Sequence, residues 1–560
     1  MQRWMPSAPN VLASSRRLLR AVVVTSALAG SVVLSAGVAA ADEAPTTVVG
    51  RLVQAWAEAD PADVAAGQEA DAPISWIQPA EGDAVRVETS GVGDIPAGST
   101  VSVTVSAGAD DDSDDEDGAP VEDVTQLAPP DAPVLSDPAG LTNQVTVVLV
   151  RPGGVAADSV TQSQVVEAVT GPVADFWSEQ TGDAVRIGVT KSVGWTATTA
   201  DCSDADLLWK ETAAKVGFVP GPRKHLLLYV SSAAPKCAYA LAQIGATPAS
   251  GGSLYVSTTQ PSAIAHELGH NFGLGHSSEL QCAGAVETGT CRTVGYRDYY
   301  DVMGASWARM GSLNAPQAAR LKLLPAAQQQ SLSVQDATTT VTLAPLSGRS
   351  GTRALRLTDA KGTVYWLEYR TASLRDEWLG TGENVYRLQQ GVLLRRAGTM
   401  PDTSVLLDGT PGAASGFAGD FQAALPVGSP VPVSGGTFSV VVDSVSPAGA
   451  VLTVTPTAPA DEAPAASQSQ PQPQPEPAPA PGAVMTGDDA APASAAVAPA
   501  EPASPAAADP AATVRPVPEL RPAADSSTLT GFLVPAAALL LAGCAFLLVR
   551  RLRTPALRRR

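Results

Sequence analysis

The sequence is poor in positive charge. Its 560 residues include 36 Lys and Arg against 55 Asp and Glu, which gives a formal net charge of −19. Proteins that bind nucleic acid or dock on anionic lipid headgroups present clusters of basic side chains. We therefore exclude nucleic acid as a partner and expect no docking on an anionic lipid surface. Composition leaves the oligomeric state open.

Cysteine is also scarce, with five in the chain. Cys544 lies in an apolar run near the C-terminus, and the other four are Cys202, Cys237, Cys282 and Cys291. These four lack the CxxC spacing of many zinc sites, so disulfides are the favoured interpretation over zinc ligation. Four cysteines allow three pairings. We favour Cys202–Cys237 and Cys282–Cys291, because the second pair flanks a short Gly/Thr loop.

Large apolar residues are nearly missing from residues 457–528, where Pro, Ala, Gln, Ser and Glu dominate. Gln470–Pro475 is the most regular part, an alternation of Gln and Pro. Such a composition cannot bury a core and favours extended polyproline-like conformations. We interpret this stretch as a disordered stalk.

Both ends of the chain carry targeting signals. Residues 1–41 carry Arg16, Arg17 and Arg20, then an apolar run that ends in Ala39–Ala41, which is typical of a cleaved secretory signal and less so of an N-terminal anchor. Residues 529–549 lack charge and are long enough to cross a bilayer as a helix, and the basic tail 550–560 follows. The positive-inside bias places that tail in the cytoplasm. The Thr-Gly of Ser527–Gly531 leaves sortase attachment to a Gram-positive wall as a minor alternative.

The intervening chain falls into three regions. Residues 42–135 form short β-like runs and predict a β-rich domain or propeptide, with a solvated acidic loop favoured over a calcium site at Asp110–Asp117. Residues 136–325 alternate strands and helices, and residues 326–456 predict a β-sandwich. The expected fold class is α+β.

Local patterns place individual elements within the middle region. Apolar spacing predicts a helix over Ser163–Glu179, and Pro261–Phe272 predicts a second one after a short strand. His225–Val230 predicts a central strand. Because His225 begins that apolar run, we interpret it as a structural or exposed residue rather than a site residue.

Three of the four histidines lie within residues 266–276. His266 and His270 are four residues apart, so a helix presents both imidazoles on one face, with Glu267 beside them as a general base. Gly273 permits a sharp turn that returns His276 to the same point. Three histidines and this glutamate predict one catalytic Zn²⁺. A buried helix with hydrogen-bonded histidines leaves the glutamate and the glycine unexplained.

The HELGHNFGLGH stretch, together with Met303 in Tyr-Asp-Val-Met-Gly, resembles the zinc site and methionine turn of metzincin peptidases. Two further stretches, Tyr365–Arg370 and Val405–Pro411, are similar to those of gametolysin-type metzincins and their bacterial relatives. The resemblance covers about residues 140–455. It implies a twisted sheet with an active-site helix, followed by the β-sandwich-like domain.

The resemblance also implies roles for single residues: His266, His270 and His276 as zinc ligands, Glu267 as catalytic acid/base, and Met303 as the turn methionine. Some metzincins place a tyrosine two residues after that methionine, where this chain has Ala305. An oxyanion-stabilising tyrosine must then come from elsewhere, with Tyr296, Tyr299 and Tyr300 as candidates. Many metzincins are silenced by a propeptide cysteine, but residues 42–201 contain none, so any latency needs another group.

These observations predict a membrane-anchored zinc endopeptidase at the outer cell surface, with protein or peptide substrates and the C-terminal helix in the membrane. Two alternatives remain open. One is a surface adhesin whose zinc site is vestigial or structural, and the other is a hydrolase of cell-wall amides.

Overall fold

The computed structural model describes residues 45–58, 73–93, 95–106, 118–130, 140–306 and 309–457. The proposed signal, the acidic loop, the stalk beyond Thr457, the apolar segment 529–549 and the basic tail lie outside the described residues. Within these ranges, no helix combines the length and apolar character needed to cross a bilayer.

The described chain is a mixed α+β structure in which strands predominate. The first ten strands are β1 (Thr46–Glu58), β2 (Ile74–Gln78), β3 (Val85–Val87), β4 (Thr100–Val105), β5 (Val121–Ala128), β6 (Asn143–Arg151), β7 (Ile187–Ala197), β8 (Lys224–Val230), β9 (Ala240–Gln243) and β10 (Gly252–Val256). The strands that follow them are β11 (Ser277–Cys282), β12 (Cys291–Val294), β13 (Gln329–Ser333), β14 (Thr339–Leu343), β15 (Ala354–Thr358), β16 (Val364–Arg370), β17 (Gly391–Ala397), β18 (Ser404–Leu407), β19 (Pro430–Val433), β20 (Phe438–Ser446) and β21 (Gly449–Pro456).

The helices are few and short. They are α1 (Thr89–Val92), α2 (Gln162–Ala168), α3 (Ala174–Thr181), α4 (Ala205–Val216), α5 (Pro261–Asn271) and α6 (Ala315–Arg320). The single helix expected over Ser163–Glu179 is divided by a π-helical turn at Val169–Val173, which contains Pro172. Proline has no N–H and its ring meets the preceding turn, so the helix widens there instead of continuing as one regular element.

The first sheet has the order β3-β2-β1-β9-β10-β8-β6-β7, and β4 and β5 attach beside β1. Strands β6, β7, β8 and β10 are mutually parallel, whereas β9 is antiparallel to β10. Helix α5 and the α2–α3 segment cover one face through a core that includes Trp177, Ile264 and Leu268. Helix α4 covers the other face with Leu208 and Trp209.

Strand β1 connects the N-terminal region to this sheet. Its first residues pair with β4 and β2 around a small core that contains Leu52 and Val101. Its last four residues, Ala55–Glu58, pair antiparallel with β9. Among the described strands, β9 therefore has β10 on one side and the end of β1 on the other.

Two further sheets follow the motif helix. One has the order β12-β11-β18-β17-β16-β15-β13, the other β14-β21-β20-β19, and a shared apolar core lies between them. Strand β11 begins directly after His276 and pairs with β18. The structure also forms the two cysteine pairs that the sequence favours, Cys202–Cys237 and Cys282–Cys291.

Candidate metal centre

Helix α5 presents the first two histidines. Pro261 occupies its first turn, a position where the missing N–H leaves no hydrogen bond unmade. Every residue from Ile264 to Asn271 is buried, because the helix is covered on all sides. His266 and His270 lie one turn apart, with ring centroids 4.8 Å apart. The helix thus brings both imidazoles to one point inside the protein.

Gly273 ends the helix and turns the chain back. Its φ of 95° is a conformation that glycine adopts without strain, and a Cβ there would lie 2.9 Å from the Ala246 backbone. The His276 N–H then donates to the Pro401 carbonyl at 2.7 Å, which fixes the position of the third histidine. Its ring lies 5.0 Å from that of His270 and 5.6 Å from that of His266.

Backbone carbonyls determine which nitrogen of each helical histidine faces the centre. His266 Nδ1 lies 2.8 Å from the Val302 oxygen, and His270 Nδ1 lies 2.8 Å from the Leu274 oxygen. A carbonyl can only accept, so both Nδ1 atoms carry the proton. In the neutral rings both Nε2 atoms therefore present lone pairs, which is the tautomer that binds metals.

Glu58, at the end of β1, places a carboxylate among the three histidines. Its Oε1 lies 2.9 Å from His270 Nε2, 3.1 Å from His276 Nε2 and 3.5 Å from His266 Nε2. The four donor atoms all lie within 4.8 Å of one another. Metal–nitrogen bonds of ~2.0 Å in a tetrahedron require donors ~3.3 Å apart. The four residues therefore fit one metal ion.

The carboxylate and the imidazoles alter one another's protonation. Burial alone would raise the pKa of Glu58, but His276 and His266 hold it well below its usual range. Burial lowers the pKa of His276 to about 4 despite the attraction of Glu58. Burial also opposes charge on His266, where the attraction of Glu58 prevails and raises the pKa. Glu58 thus favours positive charge at this point.

Glu267 lies next to the cluster without joining it. The residue is 1% exposed, and its Oε2 makes no hydrogen bond. Burial, followed by the nearby charge of Glu58, raises its pKa well above the usual range. A buried carboxylate oxygen without a partner is unusual in a folded protein and points to a role in chemistry.

Met303 is fully buried, and its side chain packs against Gly269 of helix α5. The neighbouring Val302 carbonyl orients His266, and the Met303 carbonyl accepts the N–H of Ser277 at 2.8 Å. Asp301 holds the turn, because its Oδ1 accepts the Met303 N–H at 2.9 Å. The turn therefore supports both the first and the third histidine.

Replacing Gly269 with alanine is expected to lower the free energy of unfolding by about 1–3 kcal/mol, as overpacking of a core does. A Cβ at this position would overlap Met303 Sδ and lie 3.4 Å from the Trp177 ring. Thermal melting followed by circular dichroism measures the effect. Gly171→Ala is the matched control, since its Cβ would meet no atom within 4 Å. Equal melting temperatures for the two variants would contradict close packing of Met303 against the helix.

The structure distinguishes the three candidate tyrosines. The Tyr296 ring lies 4.1 Å from the His276 ring, and its buried hydroxyl lacks a well-aligned hydrogen bond. Burial and then the charge of Glu58 raise its pKa well above the usual range. Tyr299 stacks on Tyr386 instead, and the Tyr300 hydroxyl donates to the Gln389 carbonyl. Tyr296 is thus the candidate that faces the centre.

The fourth histidine lies apart from the cluster. His225 is fully buried, and its ring nitrogens lie 2.9 Å from Asn271 Oδ1 and 3.0 Å from Asn143 Nδ2. Burial lowers its pKa to about 4, so the ring is neutral. It fastens strand β8 to the end of α5, in agreement with a structural role.

Sequence reasoning missed Glu58. The motif accounts for the three histidines. The fourth member of the cluster, Glu58, lies 212 residues before His270 in the sequence. One signal was present: Glu58 ends an apolar strand within the region interpreted as a possible propeptide. Trp56, two residues earlier on the same face, packs edge-on against His276 at 4.7 Å.

Comparisons with known proteins leave the family open. No protein-family model matches the chain, and no curated protein matches it. Among solved structures, metalloproteinase-II from Bacteroides fragilis is similar at 12% identity, with 45% of this chain and 75% of that chain covered and a TM-score of 0.22.

Proposed function

We propose that this chain is a zinc-dependent endopeptidase. One observation carries the proposal: the bare Nε2 atoms of the helical histidines converge with His276 Nε2 on one point, and Glu267, whose Oε2 has no hydrogen-bond partner, is close enough to Glu58 for their charges to interact. A structural metal site needs ligands but no general base. Glu267 therefore favours catalysis over a vestigial or structural site.

Strand β1 supports polypeptide as the substrate class. Its residues Ala55–Glu58 lie in extended conformation along β9 and lead the main chain to the metal centre. An edge strand recognises extended peptides through main-chain hydrogen bonds, whatever their side chains. The edge of β9 would thus offer its main-chain hydrogen bonds to a polypeptide in place of β1.

When bound, zinc would supply a Lewis acid that polarises a peptide carbonyl and lowers the pKa of water to about 7. His266, His270 and His276 would hold it, with the first two fixed by the Val302 and Leu274 carbonyls. Glu267 accepts a proton from the attacking water and returns it to the leaving amine. The Tyr296 hydroxyl is the side-chain donor placed to stabilise the developing oxyanion.

The finer assignment is a metzincin of the gametolysin type, for which Gly273 in the turn and Met303 under the helix are supporting features. We further propose that the enzyme acts at the outer cell surface. This rests on the N-terminal signal, the Pro/Ala-rich stalk and the apolar segment 529–549 followed by arginines.

The purified chain and its Glu58→Ala variant are compared, since Glu58 lies within the cluster. Zinc content is measured by mass spectrometry, and peptidase activity by the hydrolysis of fluorescent casein. We expect one zinc per chain, little zinc after His270→Ala, and hydrolysis that chelation abolishes and zinc restores. Stoichiometric zinc without casein hydrolysis by either form would contradict the proposal. Release of peptidoglycan fragments instead would establish a cell-wall hydrolase.

A further inference from the structure

Glu58 reaches the metal centre from outside the motif. Gln54, Trp56 and Glu58 alternate along β1 and share one face, which is directed toward the centre at its end. The carbonyl of Gln54 accepts the N–H of Ile244, and the carbonyl of Glu58 accepts that of Tyr239. Main-chain hydrogen bonds at both ends of β9 thus fix the position of β1, and with it the position of the Glu58 carboxylate at the metal centre.

The surroundings of Glu58 Oε1 favour a cation. The Nδ1 protons of His266 and His270 are held by carbonyls, so with neutral rings the carboxylate faces lone pairs at 3.5 and 2.9 Å. A buried carboxylate against lone pairs is repulsive, whether the distance is 2.9 or 3.5 Å. A metal ion between them would replace this repulsion with attractive bonds to Glu58 and the three histidines.

Strand β1 also closes the centre to other molecules. The side chains of the three histidines and Glu58 are 0–8% exposed. Trp56 covers His276, and Ala55–Glu58 take the edge of β9 along which a peptide would lie. A substrate and β1 therefore exclude each other.

We propose that Glu58 is the fourth protein ligand of the metal and that β1 is a built-in inhibitor whose withdrawal opens the enzyme. The inhibitory role of β1 rests on the proposed peptidase function, whereas metal ligation by Glu58 does not depend on it. Glu58 fills the coordination position that catalysis needs for water and substrate. Bound to the metal, Glu58 would keep the enzyme latent without a cysteine, which residues 42–201 lack.

Cobalt spectroscopy tests the ligation without reference to activity. The full chain and its Glu58→Ala, Glu58→Gln and Gln54→Ala variants are loaded with Co²⁺, and acetohydroxamate, a small bidentate metal ligand, is titrated in while the visible spectrum is recorded. Gln54→Ala is the control, because it changes the same face of β1 without touching the metal. Glu58→Gln keeps the size of the side chain and guards against loss of folding.

We expect the parent and Gln54→Ala spectra to respond at least about tenfold more weakly to acetohydroxamate than those of the two Glu58 variants, as expected when a bound ligand must first leave. Casein hydrolysis should rise at least about tenfold in the Glu58 variants with zinc, because without the metal bond β1 leaves the edge of β9 more readily. Equal responses of parent and variants would overturn Glu58 ligation and leave the peptidase proposal standing. Selective responses without hydrolysis would support ligation and refute the peptidase. Failure of every form to bind metal would overturn both.

Discussion

Replacing Glu267 with glutamine is expected to lower kcat/KM for peptide hydrolysis by about 10²–10⁴-fold, the usual contribution of a general acid–base group. Glutamine retains the shape of the side chain but cannot accept the proton of water. Its amide can fill the space of the partnerless Oε2, so the helix should remain intact. Because Glu267 is not among the four clustered donors, zinc content should stay at one per chain.

The measurement is made in the Glu58→Ala background, where β1 cannot ligate the metal. Glu279→Gln is the matched control, another buried glutamate close in sequence to the third histidine. Burial raises the pKa of Glu279 to about 8 against the opposing charge of Arg297, and the carboxylate contacts Arg297 at 2.7 Å and is not among the clustered metal-site donors. Rates within about threefold of the background for Glu267→Gln would remove Glu267 from the mechanism.

The local part of the candidate centre could be predicted from the sequence. The spacing of His266 and His270 follows from helical geometry, and Gly273 marks the turn because few other residues adopt its φ of 95°. Glu58 could not be predicted in the same way. Its position depends on the pairing of β1 with β9, a contact between distant parts of the chain that no local pattern encodes.

The fold shows the same division. The apolar run His225–Val230 predicts strand β8 nearly to its ends, since burial on both faces demands continuous apolar residues. The partner of a strand is a different matter. Strand β11 follows the third histidine, yet it pairs with β18 in the C-terminal sheet. The sequence likewise gives no sign that Tyr296, rather than its neighbours at 299 and 300, faces the centre.

A second large effect is expected at Glu368, which lies at the middle of a buried group of charges. Its Oε1 accepts from Arg370 at 2.9 Å and from Arg395 at 3.0 Å, and its Oε2 accepts the N–H of Ala315 at 2.7 Å. Arg395 also pairs with Asp298, close to the methionine turn. This face of β16 therefore joins the C-terminal sheet to the loop that supports the metal centre.

Glu368→Gln should lower the free energy of unfolding by about 3–5 kcal/mol, because it leaves two adjacent buried guanidinium groups without their shared counter-charge. The midpoint of urea unfolding, followed by tryptophan fluorescence, measures the loss. Glu383→Gln is the control: its pair with Arg309 is half exposed, and such pairs contribute about 1 kcal/mol or less. Since Asp298 belongs to the same network, Glu368→Gln should lower zinc affinity as well as stability. Glu383→Gln should change neither. Midpoints that coincide for the two variants would show that the buried charges do not hold the sheet to the turn.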